Sequence, residues 1–130
     1  TLFYTEPFYT SDIDILYVPK KDELIASLSP IYDWLMGRGY RPYEEHIIIE
    51  NMPVQFLPVY NELMDEAFKS SQIKKYNGVD VKVLLPEYLI AICLMTGRLK
   101  DKLRVELMLR EIDIDKNLLD CLLCKYKLKL

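Results

Sequence analysis

The chain has little of what would assign it quickly. No apolar run approaches the roughly 18–20 residues that a membrane span needs, and there is no internal repeat, low-complexity tract or long linker. Its start, Thr1-Leu2-Phe3-Tyr4, has neither a basic segment nor a long apolar segment, so it does not read as a signal peptide. It also lacks an initiator Met, from which upstream residues are expected to be missing. Cysteine is sparse: Cys93, Cys121 and Cys124 are an odd number without a disulfide framework, which favours a reducing, cytoplasmic compartment. Cys121-x-x-Cys124 has no second CxxC beside it and the chain has a single histidine, His46, so zinc is not expected. The apolar helical pattern L-L-D-C-L-L-C-K-Y points instead to thiols packed in a core.

What is present is ample apolar material. Hydrophobic residues make up 51% of 130 positions and charged residues 28%, which suits one soluble globular domain with a real core. The net charge of −3 argues against a simple nucleic-acid coat protein. Charge is unevenly spread: residues 1–97 hold 8 Lys and Arg against 14 Asp and Glu, and residues 98–130 hold 9 against 6. An acidic front with a basic C-terminal segment suits a metal in one part and phosphate in the other, and equally suits an ordinary helical surface.

Ser11 to Val18, S-D-I-D-I-L-Y-V, reads as a strand closed by Pro19. Strand side chains alternate between faces, so Asp12 and Asp14 project side by side about 7 Å apart, while Ile13 and Ile15 turn to the core. Two carboxylates on one face are costly to bury unpaired. A hard divalent cation would offset that cost, and so would solvent or a basic side chain.

Further along, Lys20 to Arg38 has the spacing of an amphipathic helix that Pro30 kinks or divides, ended by Gly37 and Gly39. Tyr40 to Tyr43 reads as a turn. Glu45–Glu50 and Val54–Pro58 read as an antiparallel hairpin. His46 could act as a base, but on a β-run with no nucleophile nearby it reads as structural. Tyr60 to Ser70 is a short helix, and Gln72 to Val83 is a hairpin about Asn77-Gly78, a type I′ turn signal. Glu87 to Thr96, opened by Pro86 and capped by Gly97, is apolar nearly all round and so expected to be buried. Lys100 to Glu111 and a last helix from Asp115 to Lys127 follow.

This order, with T-S-D-I-D-I-L (Thr10 to Leu16), P-E-Y-L-I-A (Pro86 to Ala91) and T-G-R-L-K-D-K-L-R (Thr96 to Arg104), resembles the nucleotidyltransferase superfamily, specifically its small stand-alone and toxin–antitoxin-associated members. The resemblance implies an α+β fold, a mixed sheet with flanking helices and a C-terminal helical segment. It would form a single domain over residues 1–130, with residues 1–84 as the sheet core and 85–130 as helices packed on it. It implies Asp12 and Asp14 as catalytic metal ligands for Mg²⁺ or Mn²⁺. It also implies nucleotide contacts at Ser11, Arg98, Lys100 and Arg104; the shared helix face of Lys100, Asp101 and Arg104 reads either as a basic edge with Asp101 orienting Arg104 or as a solvated charge cluster that locks the helix onto the sheet. The activity implied is transfer of a nucleotidyl group from an NTP to a hydroxyl of a protein, RNA or small molecule. No membrane is implied; the aromatic N-terminus or apolar C-terminal helix could bury against a protein partner or a second copy.

Three positions depart from the family pattern. No glycine precedes Gly37, whereas a phosphate-cradling Gly-Ser or Gly-Gly turn belongs upstream of Asp12. Gln55 stands where a third carboxylate is expected, with Glu50 the nearest acidic neighbour. Cys93 stands where related chains often carry lysine. These departures leave open a second reading, a catalytically degenerate module that binds nucleotide or a partner.

Overall fold

A computed structural model describes residues 12–19 and 28–130. The expected approach to the first strand, Ser11 and the first part of the Lys20–Arg38 helix lie outside the described residues. The architecture is mixed α and β, as expected. It falls into two compact units, one within Tyr9–Tyr60 and the other over Asn61–Leu130. That boundary differs from the 84/85 subdivision read from sequence. Among the described residues, no helix is long and apolar enough to cross a membrane.

The first unit is a four-stranded sheet with α1. Its strands are β1 (Ile13–Tyr17), β2 (Arg41–Tyr43), β3 (His46–Ile49) and β4 (Met52–Pro58), in spatial order β1-β4-β3-β2. β1 runs parallel to β4, and the other pairs are antiparallel. The β3–β4 hairpin is confirmed; its turn is Glu50-Asn51, both with positive φ (48° and 65°), as a two-residue hairpin turn requires. Arg41–Tyr43 is a correction, because these residues form a short edge strand rather than a turn. Pro42 disguised it, yet an edge strand has one side free of hydrogen bonding and tolerates a residue without an N–H.

α1 (Ser29–Gly37) carries Pro30 in its first turn, so the proline opens this helix. Ile31 and Leu35, four residues apart, share one helix face and pack on Ile47, Ile49, Val54 and Phe56, the inward residues of β3 and β4. Tyr32 meets Phe56 edge-on at 6.3 Å between ring centroids. Ile13 and Ile15 pair with Val54 and Phe56 and so share that inward face. They are nevertheless 45% and 41% exposed, because β1 is an edge strand beyond the centre of this small core. The expectation that they enter the core is therefore corrected.

The second unit holds α2 (Glu62–Lys69), the β5–β6 hairpin (Gln72–Tyr76 and Val79–Val83), α3 (Pro86–Thr96), α4 (Leu99–Glu111) and α5 (Lys116–Lys125). Asn77 and Gly78 both take positive φ at the hairpin turn, as expected. Asn61 caps α2 by accepting a hydrogen bond from the Met64 amide at 2.8 Å. Asp115 caps α5 through the Asn117 and Leu118 amides. Gly97, at φ 70°, ends α3 with its amide on the Cys93 carbonyl.

α3 is apolar all round because it is buried on two sides. Tyr88 and Ala91 join Leu63 and Ala67 of α2 and Leu122 of α5 in one cluster. Ile90 joins Val105 and Met108 of α4 and Leu119 of α5 in another. Since the inward face of α5 is Leu118, Leu119 and Leu122, Cys121 and Cys124 fall on the outer side and are exposed. This corrects the expectation of packed thiols.

Glu66 ties three of these helices together. Its carboxylate accepts from Tyr88 Oη at 3.1 Å, Lys125 Nζ at 2.7 Å and Tyr126 Oη at 2.6 Å. The hydrogen bonds from Lys125 and Tyr126 hold the Glu66 carboxyl below the ordinary glutamate value of 4.5, against a smaller opposing effect of burial. The unfolded chain therefore takes up this proton at higher pH than the folded one. The stability it contributes is complete above the unfolded value and is lost as pH falls through the lowered folded value. Glu66→Gln should lower the melting temperature at neutral pH and flatten the acid-unfolding profile below about pH 4.5. An unchanged profile in thermal melts across this range would contradict the assignment.

Candidate functional site

The pairing of β1 with β4 builds one face of the sheet. Asp14 is the register partner of Gln55. One step along the β3–β4 ladder from the Ile47–Val54 pair places His46 beside Gln55 on its other side. Asp14, Gln55 and His46 thus form a row across three strands, opposite in facing to the row of Ile13, Val54 and Ile47 that meets α1. Asp12, two residues before Asp14, lies on the polar side of β1 as the alternation requires.

Asp12 and His46 meet: Asp12 Oδ2 lies 3.3 Å from His46 Nε2, with side chains 25% and 16% exposed. The Glu45 carboxylate is 4.0 Å from the opposite ring nitrogen, Nδ1. Reading His46 as a structural residue missed this meeting. The signal was available in the hairpin itself, since pairing β3 with β4 and β4 with β1 fixes which side chains share a face.

Glu50 does not take the place of a third carboxylate. It sits in the β3–β4 turn beyond the Ile49–Met52 pair, about 13 Å along the strands from the His46–Gln55 level. Its carboxylate accepts from Tyr40 Oη at 2.9 Å, and that bond raises the Tyr40 phenol above its ordinary value.

Among the described residues, no group of three His, Cys, Asp and Glu side chains is gathered to hold a metal. The donors at the face are the Asp12 and Asp14 carboxylates, the Gln55 amide and the His46 imidazole, of which the first three offer hard oxygen. Mg²⁺ commonly binds through one or two carboxylates and completes its shell with substrate phosphate and water. These residues could supply part of such a shell and do not form a complete protein cage among the described residues.

The remaining residues read from sequence belong to the second unit. Arg98 is the N-cap position of α4, Lys100 is exposed in its first turn, and Arg104 lies one turn on. They are organised by Asp101, which is 1% exposed. Asp101 Oδ2 accepts from Arg98 Nε at 2.7 Å, and Oδ1 accepts from Arg98 Nη2 at 3.3 Å and Arg104 Nη1 at 3.4 Å. Asp101 thus hydrogen-bonds both Arg104 and Arg98. Cys93 packs against the Ile90–Met108 cluster, and burial pushes its thiol up, so it is a core residue. Ser11 lies outside the described residues.

Compared with known proteins, the chain matches no family model and no curated protein.

The Asp101 cluster makes an asymmetric prediction. Asp101→Asn leaves Arg98, already more than half exposed, to turn to water and leaves Arg104, 23% exposed, an amide oxygen to bond, and should cost about 1–2 kcal/mol. Arg98→Met with Arg104→Met strands a buried carboxylate and should cost about 3–5 kcal/mol. Chemical denaturation of both variants checks the order; an equal or reversed cost would show that Asp101 is not charged and dependent on these partners.

Proposed function

We propose that the polar face of the sheet is a nucleotidyltransferase-type site, at which Asp12 and Asp14 take Mg²⁺ or Mn²⁺ together with the phosphates of an NTP. The activity would be transfer of the nucleotidyl group to a hydroxyl acceptor on a protein, RNA or small molecule. The observation that carries this reading is the parallel β1–β4 register. It sets Asp14 directly beside position 55, the neighbouring-strand position from which the family's third carboxylate acts. The order of the three sequence motifs supports it.

Bound cations at such a site supply charge neutralisation and alignment for in-line displacement at the α-phosphate. The chain's own part is to hold two oxygen ligands on one rigid strand face, so that little reorganisation is needed when the nucleotide arrives. Arg98, Lys100 and Arg104 belong to the other unit, where Asp101 holds the first and last in shape. The free cysteines accord with a reducing compartment.

A second reading is favoured by one residue. Gln55 is neutral, so it is a weaker ligand than a carboxylate and cannot accept a proton from an attacking hydroxyl. A chain with this substitution could bind nucleotide without transferring it, acting as a sensor or as the partner of another protein, as in a toxin–antitoxin pair.

Calorimetric titration of each NTP, with and without Mg²⁺ or Mn²⁺, tests the site. The expected result is metal-dependent binding that falls at least tenfold in Asp12→Ala and in Asp14→Ala; unchanged binding in the double variant would remove the metal assignment. Gln55→Asp separates the two readings. Transfer of labelled nucleotide by the variant but not by the native chain would place the native protein among the binders, whereas transfer by the native chain would refute that placement.

A further inference from the structure

We infer that His46 is a positioning residue for Asp12: it fixes the aspartate's carboxylate so that the pair Asp12–Asp14 is preformed for a nucleotide-borne cation. This rests on the reading of the site given above and adds a part to it that the sequence motifs do not contain.

The geometry is specific. β1 and β3 are not neighbours; β4 lies between them, so their backbones are about 10 Å apart. The Asp12 and His46 side chains close that gap by reaching toward each other over β4 and meeting at 3.3 Å. An ionised carboxylate only accepts hydrogen bonds, so the contact requires the proton on Nε2, with Nε2–H donating to Oδ2. The β4 residue between Asp14 and His46 is Gln55, whose side chain is neutral. Asp12 itself precedes the first residue of the strand, where the backbone ladder that holds Asp14 in place has not yet begun. Ordering a carboxylate for a ligand costs rotamer entropy. The bond from the imidazole orients one Asp12 oxygen and places a positive dipole against the carboxylate, which eases the repulsion between Asp12 and Asp14. Hydrogen bonds of this kind to ligating groups commonly change metal affinity by about 10- to 100-fold.

The experiment is calorimetric titration of Mn²⁺ with a non-hydrolysable NTP into the full chain and three variants, His46→Ala, His46→Gln and Asp12→Ala. The amide nitrogen of glutamine reaches about as far as Nε2, so it can donate the same bond. His46→Ala should weaken Mn²⁺-dependent binding about tenfold and leave metal-free nucleotide binding as it was. His46→Gln should return the affinity to within about threefold of the native value. A purely structural role would not separate metal-dependent from metal-free binding, nor be repaired by an amide. The inference is overturned if His46→Ala binds like the native chain while Asp12→Ala does not bind, or if His46→Gln behaves like His46→Ala. If the native chain shows no Mn²⁺-dependent binding, or Asp12→Ala retains it in full, the site itself is misassigned and the role of His46 falls with it.

Discussion

The parallel hydrogen bonding of β1 to β4 is the constraint on which the site depends. Among the described residues β1 is an edge strand, paired with β4 alone, and its five residues meet five of β4 in unbroken register from Ile13–Val54 to Tyr17–Pro58. Because side chains alternate, this single register decides both faces at once. Ile13 and Ile15 join the apolar residues that meet α1, and Asp12 and Asp14 join Gln55 and His46. A slip of one residue would bury the carboxylates against Leu35 and expose the isoleucines, an exchange costly in both directions. The apolar face therefore fixes the position of the polar one, although α1 covers β1 only in part.

Carboxylates in the two units play different parts. In the helical unit, Glu66 and Glu87 are satisfied by donors from neighbouring elements, and Asp101 by two arginines at the start of its own helix, α4. Asp101 holds two arginines, Glu66 holds a lysine and two tyrosines, and the nearly buried Glu87 accepts the Asp115 amide at 2.8 Å. These groups set helices in place. On the sheet, two aspartates share a face with a neutral amide and an imidazole, and Asp12 meets the imidazole at 3.3 Å. Arrangements of the first kind explain stability; the second is the face on which the proposed site rests.

Much of this was legible from local pattern. The β-branched run of β3, the Asn77-Gly78 turn, the Gly97 stop and the Asp115 cap are each decided by a few neighbouring residues, and each appears where the chain indicated. Two-sided burial of α3 follows from its lack of a polar stripe. Features set by partners distant in sequence were not legible in the same way. Arg41–Tyr43 becomes a strand only because β3 offers an edge. Cys121 and Cys124 are exposed because leucines on the other side of α5 win the core. His46 acquires its contact from a residue 34 positions away, through two successive strand pairings. The positions of Asp12 and Asp14 were readable; the imidazole that meets one of them needed the register.

The most direct test is paramagnetic broadening in backbone-amide NMR spectra during titration with Mn²⁺ and a non-hydrolysable NTP. Broadening should begin at Asp12, Ile13 and Asp14 and include His46 and Gln55, because Asp12, Asp14, His46 and Gln55 share one sheet face and the Ile13 amide lies between the two aspartates. Selective loss of those signals, abolished by Asp12→Ala, is the expected result. Broadening centred on other acidic residues, or spread evenly over the chain, would contradict a metal–nucleotide site at this face.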